Sequence, residues 1–262
     1  MGIRSFLRRF KGVSQNHLSS AVLILALVAG GLLLGFSRIP YNSAMVDLSW
    51  PNCGRLPKEY FSKAIVGVTG GLDFHANNCA GNEASMAETY ELYVNTGNPG
   101  LPKINRFNNN PLACRGSSLL ICNSFNYGYH AATYALRQAS MANLHSALWW
   151  LDVETDNSWT ASKNANRADI YGMLEAFSAV SFLKPKIGIY TTTNQWHAIV
   201  GNWTLGLPLW LATGSTSKET AQHACLSSSV TGKPVSMTQY LSKDGTLDYD
   251  YNCQGLASTS PA

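Results

Sequence analysis

The sequence predicts an α/β protein: a (β/α)8-type, TIM-like barrel, regular or distorted, preceded by one N-terminal transmembrane helix. Three observations carry that prediction. Eight short apolar runs recur with longer helical or irregular stretches between them, and strand alternating with helix is the pattern of parallel βαβ units. No GxGxxG or Walker-type loop follows the first run, so an open doubly wound sheet lacks its usual phosphate-binding turn. The acids gather at the carboxyl ends of the runs, where a closed parallel barrel carries its functional groups.

Taken in order, residues 1–17 hold Arg4, Arg8, Arg9 and Lys11 and no acid, which marks a cytoplasmic basic segment. Leu18 to Phe36 is a run of 19 residues without a charge, close to the ~20 that cross a bilayer as a helix. It is longer than the apolar region of a cleaved signal peptide, roughly 7–15 residues. A transmembrane signal anchor over 18–36 is therefore the first reading, and a signal peptide, supported by Asn42-Ser43-Ala44, the second. A connector covers 37–44, and the barrel domain 45–262 lies outside: single-pass on the cell membrane with an extracellular domain, or secreted if the segment is cleaved.

The strands are expected at Met45–Ser49, Ala64–Thr69, Glu91–Asn95, Trp149–Glu154, Ile187–Thr192, Pro208–Thr213, Val235–Tyr240 and around Leu247–Tyr251. Helical signals fall at Asn82–Tyr90, at the alanine-rich Tyr129–Asn143, and at Ser162–Phe182. In the last of these Ile170, Met173, Leu174, Phe177 and Val180 recur at helical spacing.

Composition narrows the classes. With 45% hydrophobic and 13% charged residues the chain can bury a large core and lacks the charge of a disordered one. The net charge of +4 belongs to the N-terminus: residues 1–44 carry five bases and no acid, leaving 14 bases against 15 acids. The domain has no electrostatic footprint for nucleic acid. Cys53, Cys79, Cys114, Cys122, Cys225 and Cys253 all follow the apolar span, in a compartment where disulfides persist. No CxxC spacing suggests a metal, and proximity along the chain favours Cys53–Cys79, Cys114–Cys122 and Cys225–Cys253 among the 15 pairings.

The sharpest chemical feature is Trp149-Trp150-Leu151-Asp152-Val153-Glu154, an apolar strand ending in two acids. Alternation puts Asp152 and Glu154 on one face, with Cα atoms roughly 6.6 Å apart. Burial and repulsion drive such a pair to different protonation states, the division of labour that glycosidic cleavage requires. The alternative is an acidic strand end facing solvent. Asp47 closes the first strand, and Asp248 and Asp250 the last, so in a closed barrel Asp47 and one of those two flank the mouth. Trp50, Tyr190, Trp196 and Trp210 fall at or just past strand ends, where rings stack on sugars or fill the core. Gln239 bonds either substrate or its neighbours, and no GxSxG constellation competes.

These landmarks resemble the glycoside hydrolase family 25 lysozymes: Val46-Asp47-Leu48-Ser49, Leu151-Asp152-Val153-Glu154, Gly188-Ile189-Tyr190-Thr191, Leu209-Trp210-Leu211-Ala212, Gln239-Tyr240 and the closing Asp-rich strand, in order over about 45–253. The likeness is greatest to a secreted actinobacterial branch through Ser49–Cys53, Val66–Gly71, Tyr93–Thr96 and Trp149–Glu154. The resemblance implies cleavage of the β-1,4 bond of peptidoglycan, without metal or cofactor. Glu154 would be the general acid, Asp152 its partner at the acetamido group or cation, and Asp47 a further site carboxylate. Asp248, Asp250, Tyr190, Trp210, Gln239 and Trp50 would meet substrate. The chain departs from the family where Val66–Gly71 lacks the usual Lys and Thr-Glu-Gly, and where Tyr93-Val94-Asn95-Thr96 replaces Tyr-His. Tyr129-His130 is not that missing pair, because it opens an alanine-rich helix. The departures keep two alternatives open: an inactive glycan-binding barrel, and a structural envelope protein.

Overall fold

The computed structural model describes residues 40–180 and 184–253. The segment 18–36 and the basic segment before it lie outside them, and among the described residues no helix is long and apolar enough to cross a membrane. Eight strands close a barrel in sequence order: β1 (Tyr41–Leu48), β2 (Tyr60–Gly67), β3 (Ala87–Asn95), β4 (Leu148–Asp152), β5 (Lys186–Thr191), β6 (Leu207–Ala212), β7 (Gly232–Leu241) and β8 (Asp248–Asn252). β1 starts at Tyr41, so the end of the expected connector belongs to the barrel.

The expectation of an all-parallel barrel is corrected at its last strand. β1 to β7 pair parallel, but β8 runs antiparallel to both β7 and β1. The cause is the short link after Leu241: Asp244 accepts from Ser242 Oγ, Thr246 N and Thr246 Oγ1, and Gly245 turns the chain at φ +67°. So few residues make a hairpin, whereas a parallel return needs about a dozen.

Among the described residues five α-helices accompany the strands: α1 (Ala80–Ala84), α2 (Leu119–Met141), α3 (Lys163–Ser178), α4 (Thr193–Val200) and α5 (Lys218–Ala224). The helix expected over Asn82–Tyr90 stops at Ala84. From Ala87 the chain pairs with Phe61–Gly67 instead, where Thr89, Tyr90 and Tyr93 suit a strand. The helix expected from Tyr129 begins at Leu119, and its first turns bury the polar Asn123, Ser124 and Asn126. Asn126 there donates to the carbonyls of Phe107 and Leu112 and accepts from Leu112 N.

Two apolar layers hold the barrel. Outside, Val46, Leu48, Leu92, Leu151 and Ile189 pack against Ala132 and Ala135 of α2 and Ile170, Met173 and Phe177 of α3. Inside, Ile65, Trp150, Trp210 and Met237 meet Met45, Tyr93 and Tyr190. Gly188 makes room for the Trp150 ring, since a Cβ there would stand 2.2 Å from a ring carbon. The three disulfides, Cys53–Cys79, Cys114–Cys122 and Cys225–Cys253, are those that proximity favoured.

Candidate active site

The alternation of β4 sends Trp150 into the barrel and Trp149, Leu151 and Val153 outward. The strand ends at Asp152, two residues short of the expected Glu154. Val153 nevertheless keeps the register: its N–H donates to Tyr190 O at 2.9 Å and its carbonyl accepts from Thr191 Oγ1 at 2.7 Å. Asp152 and Glu154 therefore meet at the C-terminal mouth, close enough for each carboxyl to shift the other's proton affinity. Asp152 Oδ1 is buried and has no hydrogen-bond partner, which favours a proton on that carboxyl. Burial raises Asp152 well above the ordinary carboxylate pKa, and the charge of Glu154 raises it further. Burial raises Glu154 too, with the bond from Asp152 acting against it. Two acids held this way keep one proton between them.

Asn95 fixes the pair. Its Oδ1 accepts from Thr69 Oγ1 at 2.8 Å and from Gly71 N at 3.1 Å, which leaves its Nδ2 to donate to Asp152 Oδ2 at 2.5 Å. The Asp152 carbonyl accepts from Thr96 Oγ1 at 2.5 Å and from Asn157 Nδ2 at 3.2 Å. Sequence reasoning read 93–96 as a departure and missed this role. The available signal was an amide at the carboxyl end of the strand beside the acid pair.

Gln239 is committed within the protein. Its Nε2 donates to Asp47 Oδ2 at 3.0 Å, and its Oε1 accepts from the Tyr190 hydroxyl at 2.7 Å. Burial raises Asp47 well above the ordinary range, followed by the charges of Asp250 and Asp248. The ladder separates the two closing acids: Asp248 pairs with Asp47 at the mouth, and Asp250 with Met45 one layer below. Asp250 is buried and accepts from Trp210 Nε1 at 2.8 Å.

The aromatic residues divide by depth. Trp210, 1% exposed, is part of the interior floor with its ring 4.3 Å from that of Tyr190. Trp196 is buried in α4 and stacked on Trp203. Trp50, 52% exposed, leans over Gly71. His130 lies in α2, bonded to Asn110 O and packed on Phe107. Two clefts are built from the loops at the mouth end. One of about 770 Å³ is lined by Lys218, Tyr240, Asp244 and Tyr249. The other, about 240 Å³, is lined by Leu72, Asp73, His75, Thr96, Lys103 and Tyr127. Among the described residues no three or more His, Cys, Asp or Glu side chains are grouped to hold a metal ion.

The family model described as Lysozyme-like protein 1 matches residues 73–225, more than half the chain, with Asn95, Asp152 and Glu154 inside the match. This chain belongs to the lysozyme-like protein 1 family. Two relatives from Dictyostelium discoideum are described as probable family 25 lysozymes. "Probable GH family 25 lysozyme 5" is 38% identical over 66 residues, 24% of this chain and 30% of the relative. "Probable GH family 25 lysozyme 4" is 35% identical over 72 residues, 27% of this chain and 32% of the relative. The chain thus spans about a third of the length of these relatives. A solved glycosyl hydrolase 25 of Streptococcus pneumoniae, GHIP, described as a virulence factor in host cell invasion, superposes with a TM-score of 0.46 at 17% identity, over 80% of this chain and 87% of that one. Asp47, Gln239, Asp248 and Asp250 lie outside the matched span of the lysozyme-like family.

Proposed function

We propose that this lysozyme-like domain hydrolyses β-1,4 glycosidic bonds of peptidoglycan, with Glu154 as the proton donor. The observation that carries the reading is the pair of neighbouring carboxyls at the mouth of the barrel, Asp152 held by Asn95 and Glu154 beside it, both with raised proton affinity. Glu154 is the less buried of the two, so it reaches the glycosidic oxygen and delivers the proton as the C–O bond breaks. Both carboxyls are then ionised beside the anomeric carbon, and their charge stabilises the oxocarbenium-like centre. Asp152, held by Asn95, is the fixed member. Glu154, now a base, takes a proton from the water that completes hydrolysis. Asp47 and Asp248 stand on the opposite wall, Asp47 held there by Gln239, and the exposed Trp50 ring offers a face for a sugar.

Release of reducing ends from purified peptidoglycan by the isolated domain tests this. Binding to the wall with no reducing ends released would instead favour the inactive glycan-binding barrel. We further propose that the basic segment and the 19-residue uncharged run hold the domain on the outer face of a membrane. A reporter fused at Ala262 should be active only outside the cytoplasm, and activity confined to the cytoplasm would overturn that placement.

A further inference from the structure

We propose that the hairpin Thr69–Ala76 is a pH-sensitive strap: with the Asp73 carboxyl protonated it is latched to α2, and with that carboxyl ionised it lifts and loosens its hold on Asn95. Only its effect on turnover rests on the glycosidase reading.

The hairpin follows β2 and joins two regions of the domain. Thr69 bridges Ala76, and Gly70 N donates to His75 O at 2.9 Å. Its base holds the clamp on the acid pair: Thr69 Oγ1 and Gly71 N both donate to Asn95 Oδ1, and Thr69 Oγ1 accepts from Asn95 N at 2.9 Å. Its tip meets the helices. Asp73 Oδ2 accepts from the Tyr127 hydroxyl of α2 at 2.8 Å, and the Phe74 ring packs on Phe107, Tyr127 and Tyr134. Phe74 has φ 59°, in the left-handed region that an aromatic residue rarely adopts. The tip is therefore held closed against its own backbone preference.

The closed tip suits a neutral carboxyl. Asp73 Oδ1 is buried with no donor, and the backbone of Gly97 closes over Oδ2, since a Cβ there would stand 2.9 Å from it. No cation pairs with Asp73: among the described residues the one salt bridge is Lys63–Glu91. Arg106, from the loop after β3, lies over the rings of Phe74 and Phe107 at 5.9 and 4.8 Å, and Lys103 of the same loop is exposed. His75 bonds the backbone carbonyl of Asp73 and not its carboxyl. The loop after β4 brings only the uncharged Asn157 and Ser158. From α3 comes another acid, Asp169, buried with no donor to either oxygen and near enough for the Asp73 charge to raise its proton affinity. An ionised Asp73 is then a buried charge with a single donor, and lifting the tip into water relieves it. Burial accordingly raises Asp73 from 3.8 to about 7, with the Tyr127 bond acting against it. The latch is complete below the lower value, weakens about tenfold per pH unit up to the upper one, and then levels off.

Amide exchange of residues 70–76 in the whole chain, divided by the intrinsic rate at each pH, reads the lifting. Wild-type protection should fall about tenfold per pH unit between pH 5 and 7 and level above that, with β4 falling less. Asp73→Asn keeps an acceptor for Tyr127 and cannot ionise, so its protection should stay flat. Tyr127→Phe removes the one donor to the ionised form and should extend the fall above pH 7. Glu83 accepts from Asn77 just beyond the hairpin and is also raised to about 7, so Glu83→Gln serves as the control and should leave the slope in place. A wild-type slope in Asp73→Asn, a slope abolished by Glu83→Gln, or an equal loss of protection in β4 would overturn the strap.

Discussion

The side-chain amide of Asn95 donates to Asp152 Oδ2 at 2.5 Å, and its oxygen is already occupied by Thr69 and Gly71. The amide cannot rotate away without breaking three bonds, so Asp152 is aimed by the strand next to its own. This bond favours the ionised form of Asp152 and is the main opposition to its raised pKa. Asn95→Ala should therefore push Asp152 higher still and move the acid limb of the pH–rate profile to higher pH. The rate kcat should fall roughly 10–100-fold, as for a lost hydrogen bond to a charged group worth about 1.5–3 kcal/mol, with KM little changed. An unchanged acid limb in a folded variant would assign Asn95 a structural role only.

Glu154→Gln retains size and hydrogen-bonding shape but cannot give up a proton. Peptidoglycan hydrolysis should drop on the order of 10²–10⁴-fold, the usual contribution of a positioned acid or base, while wall binding persists. Hydrolysis near the wild-type rate would return the pair to an acidic strand end.

Asp248 and Asp250 are two residues apart and one layer apart. Asp248→Asn should lower turnover clearly, since that carboxyl stands opposite Asp47 at the mouth. Asp250→Asn should be mild, because an amide oxygen still accepts from Trp210 Nε1 and a buried charge is removed. Steady-state kinetics on both variants decide the order, and the reverse ranking would contradict this placement.

Glu83 is fully buried, accepts from Asn77 at 2.6 Å, and is raised by burial to about 7. Its folded pKa exceeds its unfolded one. Its stabilising contribution is thus complete below the unfolded value near 4.5 and declines as pH rises towards 7, by at most about 1.4 kcal/mol per pH unit. Thermal unfolding should show a higher Tm at pH 5 than at pH 7.5, and Glu83→Gln should flatten the difference. A difference that survives Glu83→Gln in full would place its origin in other acids.

What the sequence made legible followed from local pattern. Strand β4 and its acids stood out because Trp149 to Leu151 is apolar and ends abruptly in charge, and seven further apolar runs closed the barrel. Depth was not legible. Trp210 and Trp50 both lie near strand ends, yet one is floor and the other rim, a difference set by register across the barrel. The first half of α2 was hidden because Asn123, Ser124 and Asn126 are buried, which inverts the apolar stripe that marks a helix. The direction of β8 was readable in principle, since Lys243-Asp244-Gly245 is a hairpin signal. Asn95 was passed over because its importance lies in a partner 57 positions away.

The reversed last strand also gives the domain a polarity. β1 climbs from Tyr41 towards Asp47, and β8 descends from Asp248 to Asn252, so the chain enters and leaves the barrel through its base. Any attachment made through either end of the domain, natural or engineered, grips the face opposite Asp152 and Glu154. Immobilising it at Tyr41 or at Asn252 would leave the mouth turned outward, free to meet an insoluble polymer too large to diffuse to it.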